Sequence, residues 1–80
     1  MRILDYDSDT ALKNVTLFLA LNEAKELKDA LEYLMSDFQS FNHAHITDAE
    51  YVHEITIATH DETDIDGFSE RAKKIIQEDK

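Results

Sequence analysis

Asn14-Val15-Thr16-Leu17-Phe18-Leu19-Ala20-Leu21 is the most strand-like stretch of this 80-residue chain. Side chains alternate between the two faces of a strand. Val15, Leu17, Leu19 and Leu21 therefore share one face, and Thr16, Phe18 and Ala20 the other. Both faces are apolar enough to need cover, so the run reads as a central strand of a covered sheet.

Upstream, Arg2-Ile3-Leu4-Asp5-Tyr6 reads as a short strand and Asp7-Ser8-Asp9-Thr10 as a turn, since short polar side chains bond their own backbone there. Downstream, Asn22 is a candidate helix cap, and Glu23 follows near the positive end of the macrodipole. Ala24, Leu27, Leu31, Leu34, Met35 and Phe38 then recur at helical spacing, which predicts a helix over 23–38. Lys25–Asp29 and Lys28–Glu32 are i,i+4 pairs on its outer side. Ser40, Phe41 and Asn42 form its exit.

A hairpin follows. His43-Ala44-His45-Ile46-Thr47 alternates, Asp48-Ala49-Glu50 turns, and Tyr51 to His60 returns. An even-length loop puts Ala44 and Ile46 on the face of Ile55 and Ile57, and the match of apolar residues favours that register. Asp61 to Asp66 is an acidic connection. A closing helix is expected from about Asp64 or Phe68 to Glu78, with Ile65, Phe68, Ala72, Ile75 and Ile76 as its stripe and Thr63 with Asp66 as a capping box. The expected fold is one α+β domain over residues 1–80 in the order ββαββα. Its four-stranded, largely antiparallel sheet would carry two helices packed on one face. The core would draw on Leu17, Leu19, Leu27, Leu31, Leu34, Ile55, Ile57, Phe68, Ala72 and Ile75.

Composition narrows the chemistry. Apolar types make up 42% of the chain, so a packed core is feasible. Cys and Pro are absent and there is one Gly, which excludes disulfide scaffolds, cysteine zinc sites and thiol catalysis. No apolar stretch approaches the roughly 20 residues of a bilayer span, and Met1 to Asp9 lacks a secretory core, so a cytoplasmic protein away from membranes is expected. The 18 acidic and 8 basic residues give a net charge of −10. Residues 1–66 balance at −11 and residues 67–80 at +1, with Arg71, Lys73 and Lys74 the only basic cluster. Phosphate neutralisation needs a cationic face, so direct nucleic-acid binding is disfavoured. The acidic bulk suits a partner with a basic surface.

Two constellations could carry chemistry. In the expected register His43 and His45 point the same way, with Glu54 near His45 across the ladder. Two imidazoles and a carboxylate on one face form a metal-compatible set, for which zinc is the natural test. The bland alternative is a solvated polar face. His53 falls on the apolar parity of Ile55 and Ile57 and reads as a core-edge histidine. Glu62-Thr63-Asp64-Ile65-Asp66-Gly67 imitates the start of a calcium loop, but Lys73 stands where the bidentate glutamate belongs. Enzyme templates are missing: there is no Gly-x-Ser-x-Gly and no glycine-rich phosphate loop. No catalytic residue can be singled out.

Leu21 to Leu27 (Leu-Asn-Glu-Ala-Lys-Glu-Leu), His43 to Ile46 and Glu54 to Ile57 together resemble a type of small uncharacterised bacterial domain. In that type a strand leads into an Glu-Ala-x-Glu-Leu helix, followed by a histidine-containing hairpin and a closing helix near Gly67-Phe68. The similarity spans residues 14–76. It implies the same α+β order, and some similar small acidic proteins serve as immunity proteins or antitoxins. It implies no catalytic residue.

The expectation from sequence is therefore a non-catalytic, acidic protein-interaction module. Its sharpest form is an inhibitor of a basic toxin or nuclease. The alternative is a small metal- or ligand-binding domain using His43, His45 and Glu54. A homodimer is also expected. Two helices on one sheet face would leave the other bare, with Phe18 and Val52 as candidate interface residues.

Overall fold

Asp5 organises the first turn. Its carboxylate accepts from the Asp7 amide at 3.1 Å and from Ser8 Oγ at 2.7 Å. In the computed structural model, which describes residues 1–36, 42–61 and 63–80, this turn joins β1 (Ile3–Asp5) to β2 (Thr10–Leu12). The strands pair antiparallel, with Ile3 opposite Leu12 and Asp5 opposite Thr10. Asp9 closes the turn at φ 56°, a left-handed conformation that Asp tolerates better than most residues. Arg71 holds it there, through Nη2 to the Asp9 carbonyl at 2.9 Å and an Nε–Oδ1 ion pair at 2.5 Å.

The first helix, α1 (Leu21–Ser36), begins two residues earlier than its apolar spacing predicts. Asn22 is not its cap. Glu23 reaches back to accept from the Ala20 amide at 2.8 Å, while the Ala20 carbonyl accepts from Ala24 at 2.9 Å. That is the carboxylate half of a capping box. Lys28 and Glu32 pair at 3.3 Å as expected. The expected end of this helix at Phe38 and its exit through Ser40 and Phe41 lie outside the described residues.

The second hairpin joins β3 (His43–Thr47) to β4 (Glu54–Ala58) in the register that the apolar pattern predicts. Ala44 faces Ile57 and Ile46 faces Ile55. The connection runs from Asp48 to His53. Val52 and His53 belong to it rather than to the strand, because the Asp48 carboxylate takes both their amides, at 2.9 and 3.3 Å. The last helix, α2 (Glu70–Glu78), starts after the turn at Gly67 and Phe68. Ser69 caps it, accepting from the Ala72 amide at 3.2 Å. Thr63 does not cap a helix. Its amide and hydroxyl both donate to Asp61 Oδ1, at 2.9 and 2.7 Å.

The chain is thus α+β in the order ββαββα. The four strands form two separate two-stranded sheets, where one four-stranded sheet was expected. The reason lies in Asn14–Leu21. Residues 13–20 belong to no helix or strand, and Leu21 opens α1. β1 finds its partner in β2 across a short loop, which costs little closure entropy. Lys13 is then tied to Asp79, and Ala20 is fixed by Glu23 at the other end. The run between these anchors meets no ladder.

Helix α1 packs on β3, and α2 is tied to the first hairpin. Asp79, in a left-handed conformation at φ 57°, caps α2 with its amide on the Ile75 carbonyl at 2.9 Å, and Arg2 Nε adds donors to the Ile75 and Ile76 carbonyls at 3.1 and 3.2 Å. Among the described residues Leu34, Ile46 and Ile75 are the buried hydrophobic ones. Leu19, Leu27, Ile55, Ile57, Phe68 and Ala72 are half-buried. Two expected core residues are exposed: Leu17 at 48% and Leu31 at 42%. The radius of gyration is 13.2 Å, against about 11.6 Å for a compact chain of this length.

Candidate functional site

The β3–β4 register decides which side chains meet. With Ala44, Ile46, Ile55 and Ile57 on one face, His43, His45, Glu54, Thr56 and Ala58 fall on the other. Those five line an open cleft of about 1400 Å³, whose opposite wall includes Leu4, Tyr6, Leu12, Ala72, Ile75 and Ile76. Both hairpins and α2 therefore contribute to one concavity.

Within it, Thr47 is the direct cross-strand partner of Glu54, and His45 faces Thr56. Glu54 nonetheless reaches diagonally to His45. His45 Nδ1 lies 2.6 Å from Glu54 Oε1 and 2.9 Å from Thr56 Oγ1, and Thr56 Oγ1 donates to Glu54 Oε1 at 3.4 Å. The ring of His43 meets that of His45 edge to face, with centroids 5.0 Å apart. The structure thus brings His43, His45 and Glu54 into one neighbourhood. It does not converge them on a point. Glu54 engages Nδ1 of His45, which leaves Nε2 as that ring's free nitrogen. Among the described residues no group of three His, Cys, Asp or Glu is arranged to hold a metal ion.

A second histidine–carboxylate pair closes the hairpin's turn. His53 Nδ1 lies 2.7 Å from Asp48 Oδ2. His53 is exposed, not a core-edge residue, because β4 begins only at Glu54. The hydrogen bond from His53, helped by the Val52 and His53 amides, holds the Asp48 carboxyl below the usual carboxylate range. Sequence reasoning marked Asp48 as a turn residue but did not see that one carboxylate would gather three donors. Tyr51 completes the turn at φ 56°.

The two candidate interface residues sit apart from any shared sheet face. Phe18 lies in the unpaired run, 92% exposed, and Val52 lies in the hairpin's turn. Val15 and Leu17 are exposed with Phe18. Within the chain, no backbone group of Val15 to Leu19 has a hydrogen-bond partner among the described residues. At the calcium-like stretch, Glu62 lies outside the described residues, and Asp61 and Asp64 form an isolated bridge.

These features define a small α+β chain with a histidine-faced hairpin and an exposed uncharged run. No family model, no curated protein and no solved structure matches it. No described helix is long and apolar enough to cross a membrane.

Proposed function

We infer that this chain is a non-catalytic, acidic protein-interaction module. The observation that carries the reading is the run Asn14–Ala20. It holds no charged residue in a chain of net charge −10, and it exposes Val15, Leu17 and Phe18. Its backbone from Val15 to Leu19 is unpaired among the described residues. Unpaired backbone beside apolar side chains is what strand addition uses: main-chain bonds give affinity and alternate side chains give specificity. The acidic exterior around the run selects for a partner with a basic surface. An inhibitor that places carboxylates where a toxin or nuclease would take phosphates is the sharpest form of the reading. Capture from the native host, read by mass spectrometry, tests it. A basic protein should be retained at low salt and released as ionic strength rises. Retention of the same proteins at all salt concentrations would overturn the role of charge.

A second reading has one observation behind it. His43, His45 and Glu54 share a cleft wall, and the Glu54 carboxylate on Nδ1 of His45 fixes the orientation of that ring. Calorimetry with zinc at neutral pH decides it. Uptake that is abolished by His45→Ala supports a metal-binding domain, and no uptake removes it.

A further inference from the structure

We propose that the run Asn14–Ala20 is the seam of a twofold homodimer, in which two copies pair antiparallel about Leu17. The proposal rests on reading the run as an interaction segment, and it names the occupant of that segment as a second copy of this chain. Three observations point to self-pairing. The first is electrostatic. Two chains of charge −10 repel over most of their surface, but positions 14 to 22 carry no charge, and Lys13 and Glu23 flank them. An antiparallel arrangement runs Lys13 of one copy toward the Glu23 end of the other. Contact along this run alone sets neutral residues against neutral residues.

The second is the order of side chains. About Leu17, Asn14 stands opposite Ala20, Val15 opposite Leu19 and Thr16 opposite Phe18. Every pair sets a smaller or β-branched residue against another neutral one. The two Phe18 rings become diagonal neighbours, about 7–8 Å apart and within reach of each other. A twofold contact uses one patch twice, so a segment that complements its own reverse is what such an interface requires.

The third is area. The chain exposes 6352 Å², whereas a compact chain of its 9.2 kDa mass exposes about 4900 Å². The excess of about 1400 Å² belongs to the chain as a whole, and the exposed side chains of Val15, Leu17 and Phe18 place part of it on the run. Pairing would also extend the ordered sheet structure of a protein whose sheets are two-stranded and individually marginal.

The chain has no cysteine, so single-cysteine variants report the register cleanly. Leu17→Cys places two thiols across the twofold axis and should form a covalent dimer at least about tenfold faster than Asn14→Cys alone. Asn14→Cys mixed with Ala20→Cys should cross-link as a pair, because those positions face each other. Wild-type protein should sediment as a dimer at about 100 μM. Thr16→Pro and Leu17→Pro add no charge, and one of the two removes a ladder donor whichever edge faces the partner, so that variant should give a monomer with unchanged helical circular dichroism. A wild-type monomer at that concentration, or equal cross-linking rates at positions 14 and 17, would overturn the pairing. These measurements use purified protein without any partner. Both readings use this run, so a basic partner would compete with the second copy; loss of the dimer leaves the run open to that partner, and failed capture leaves the dimer standing.

Discussion

The β3–β4 hairpin and the run Asn14–Leu21 carry the same kind of signal with opposite outcomes. In the hairpin, modest alternation becomes a ladder in which Ala44 meets Ile57 and Ile46 meets Ile55. In the run, stronger alternation forms no strand, and Phe18 is 92% exposed. The difference is partner supply. Asp48 folds β4 back onto β3 by gathering three donors, so the hairpin brings its own partner. Among the described residues nothing pairs with the run, and Glu23 turns the chain into α1 at Ala20. Alternation therefore marks a segment that can pair. The neighbouring turn chemistry determines whether it pairs within the chain.

The largest expected effect separates the buried side of this contrast from the exposed side. Leu34 is fully buried, so Leu34→Ala should cost about 2–5 kcal/mol in chemical denaturation. Leu17→Ala in the run should cost under about 1 kcal/mol in dilute protein, as surface truncations do. Equal costs would mean that the run is part of the core. Leu31 is 42% exposed, and its truncation should fall between the two.

Next in size is the effect of charge on the run. Phe18→Glu should leave the denaturation midpoint of dilute protein nearly unchanged while abolishing self-association, since a carboxylate at the seam would be buried unpaired. Analytical ultracentrifugation beside a denaturation series reads both. Unfolding of this variant at low concentration would show that Phe18 belongs inside the monomer.

Acid should weaken the turns that make the hairpins. The carboxyls of Asp5 and Asp48 are held below the usual range by hydrogen bonds from Ser8 and His53. Those of Asp61 and Asp79 are lowered by Thr63 and Lys13. A carboxyl lowered in the folded state binds its proton more readily when unfolded. Its contribution is complete above the unfolded value near 4 and disappears as pH falls through the folded value. The denaturation midpoint should be flat down to about pH 5 and fall below about pH 4. Asp48→Asn should make that fall shallower. A midpoint that drops between pH 7 and 6 would contradict the assignment to these four aspartates.

The smallest effect concerns Tyr51, a bulky residue at φ 56°. Tyr51→Gly relieves the left-handed strain and should raise hairpin stability by about 0.5–1 kcal/mol. A loss of stability would show that the Tyr51 ring contributes more than its backbone costs.

Much of the fold was legible where the deciding forces are local. The helical spacing from Ala24 to Met35 and the register of His43–Thr47 against Glu54–Ala58 follow from side-chain periodicity. The neighbourhood of His43, His45 and Glu54 follows from that register. Three features were not legible. Asp48 gathers donors by a loop geometry that alternation does not encode. Arg2 adds donors to the end of α2 across a separation of 73 residues, which no spacing rule covers. The unpaired state of Val15–Leu19 depends on which strand reaches β1 first, and β2 is the nearer in the chain.

The central claim is that the run from Val15 to Leu19, which has no backbone partner among the described residues, pairs with the same run of a second chain. Amide hydrogen exchange measured at two protein concentrations tests it most directly. At low concentration the ladder amides of Ala44, Ile46, Ile55 and Ile57 should be protected while those of Val15–Leu19 exchange freely. At high concentration alternate amides within Val15–Leu19 should gain protection and those of the hairpin should change little. Protection of Val15–Leu19 equal to that of Ile46 at every concentration would contradict the account, because the run would then be a strand of the monomer's own sheet.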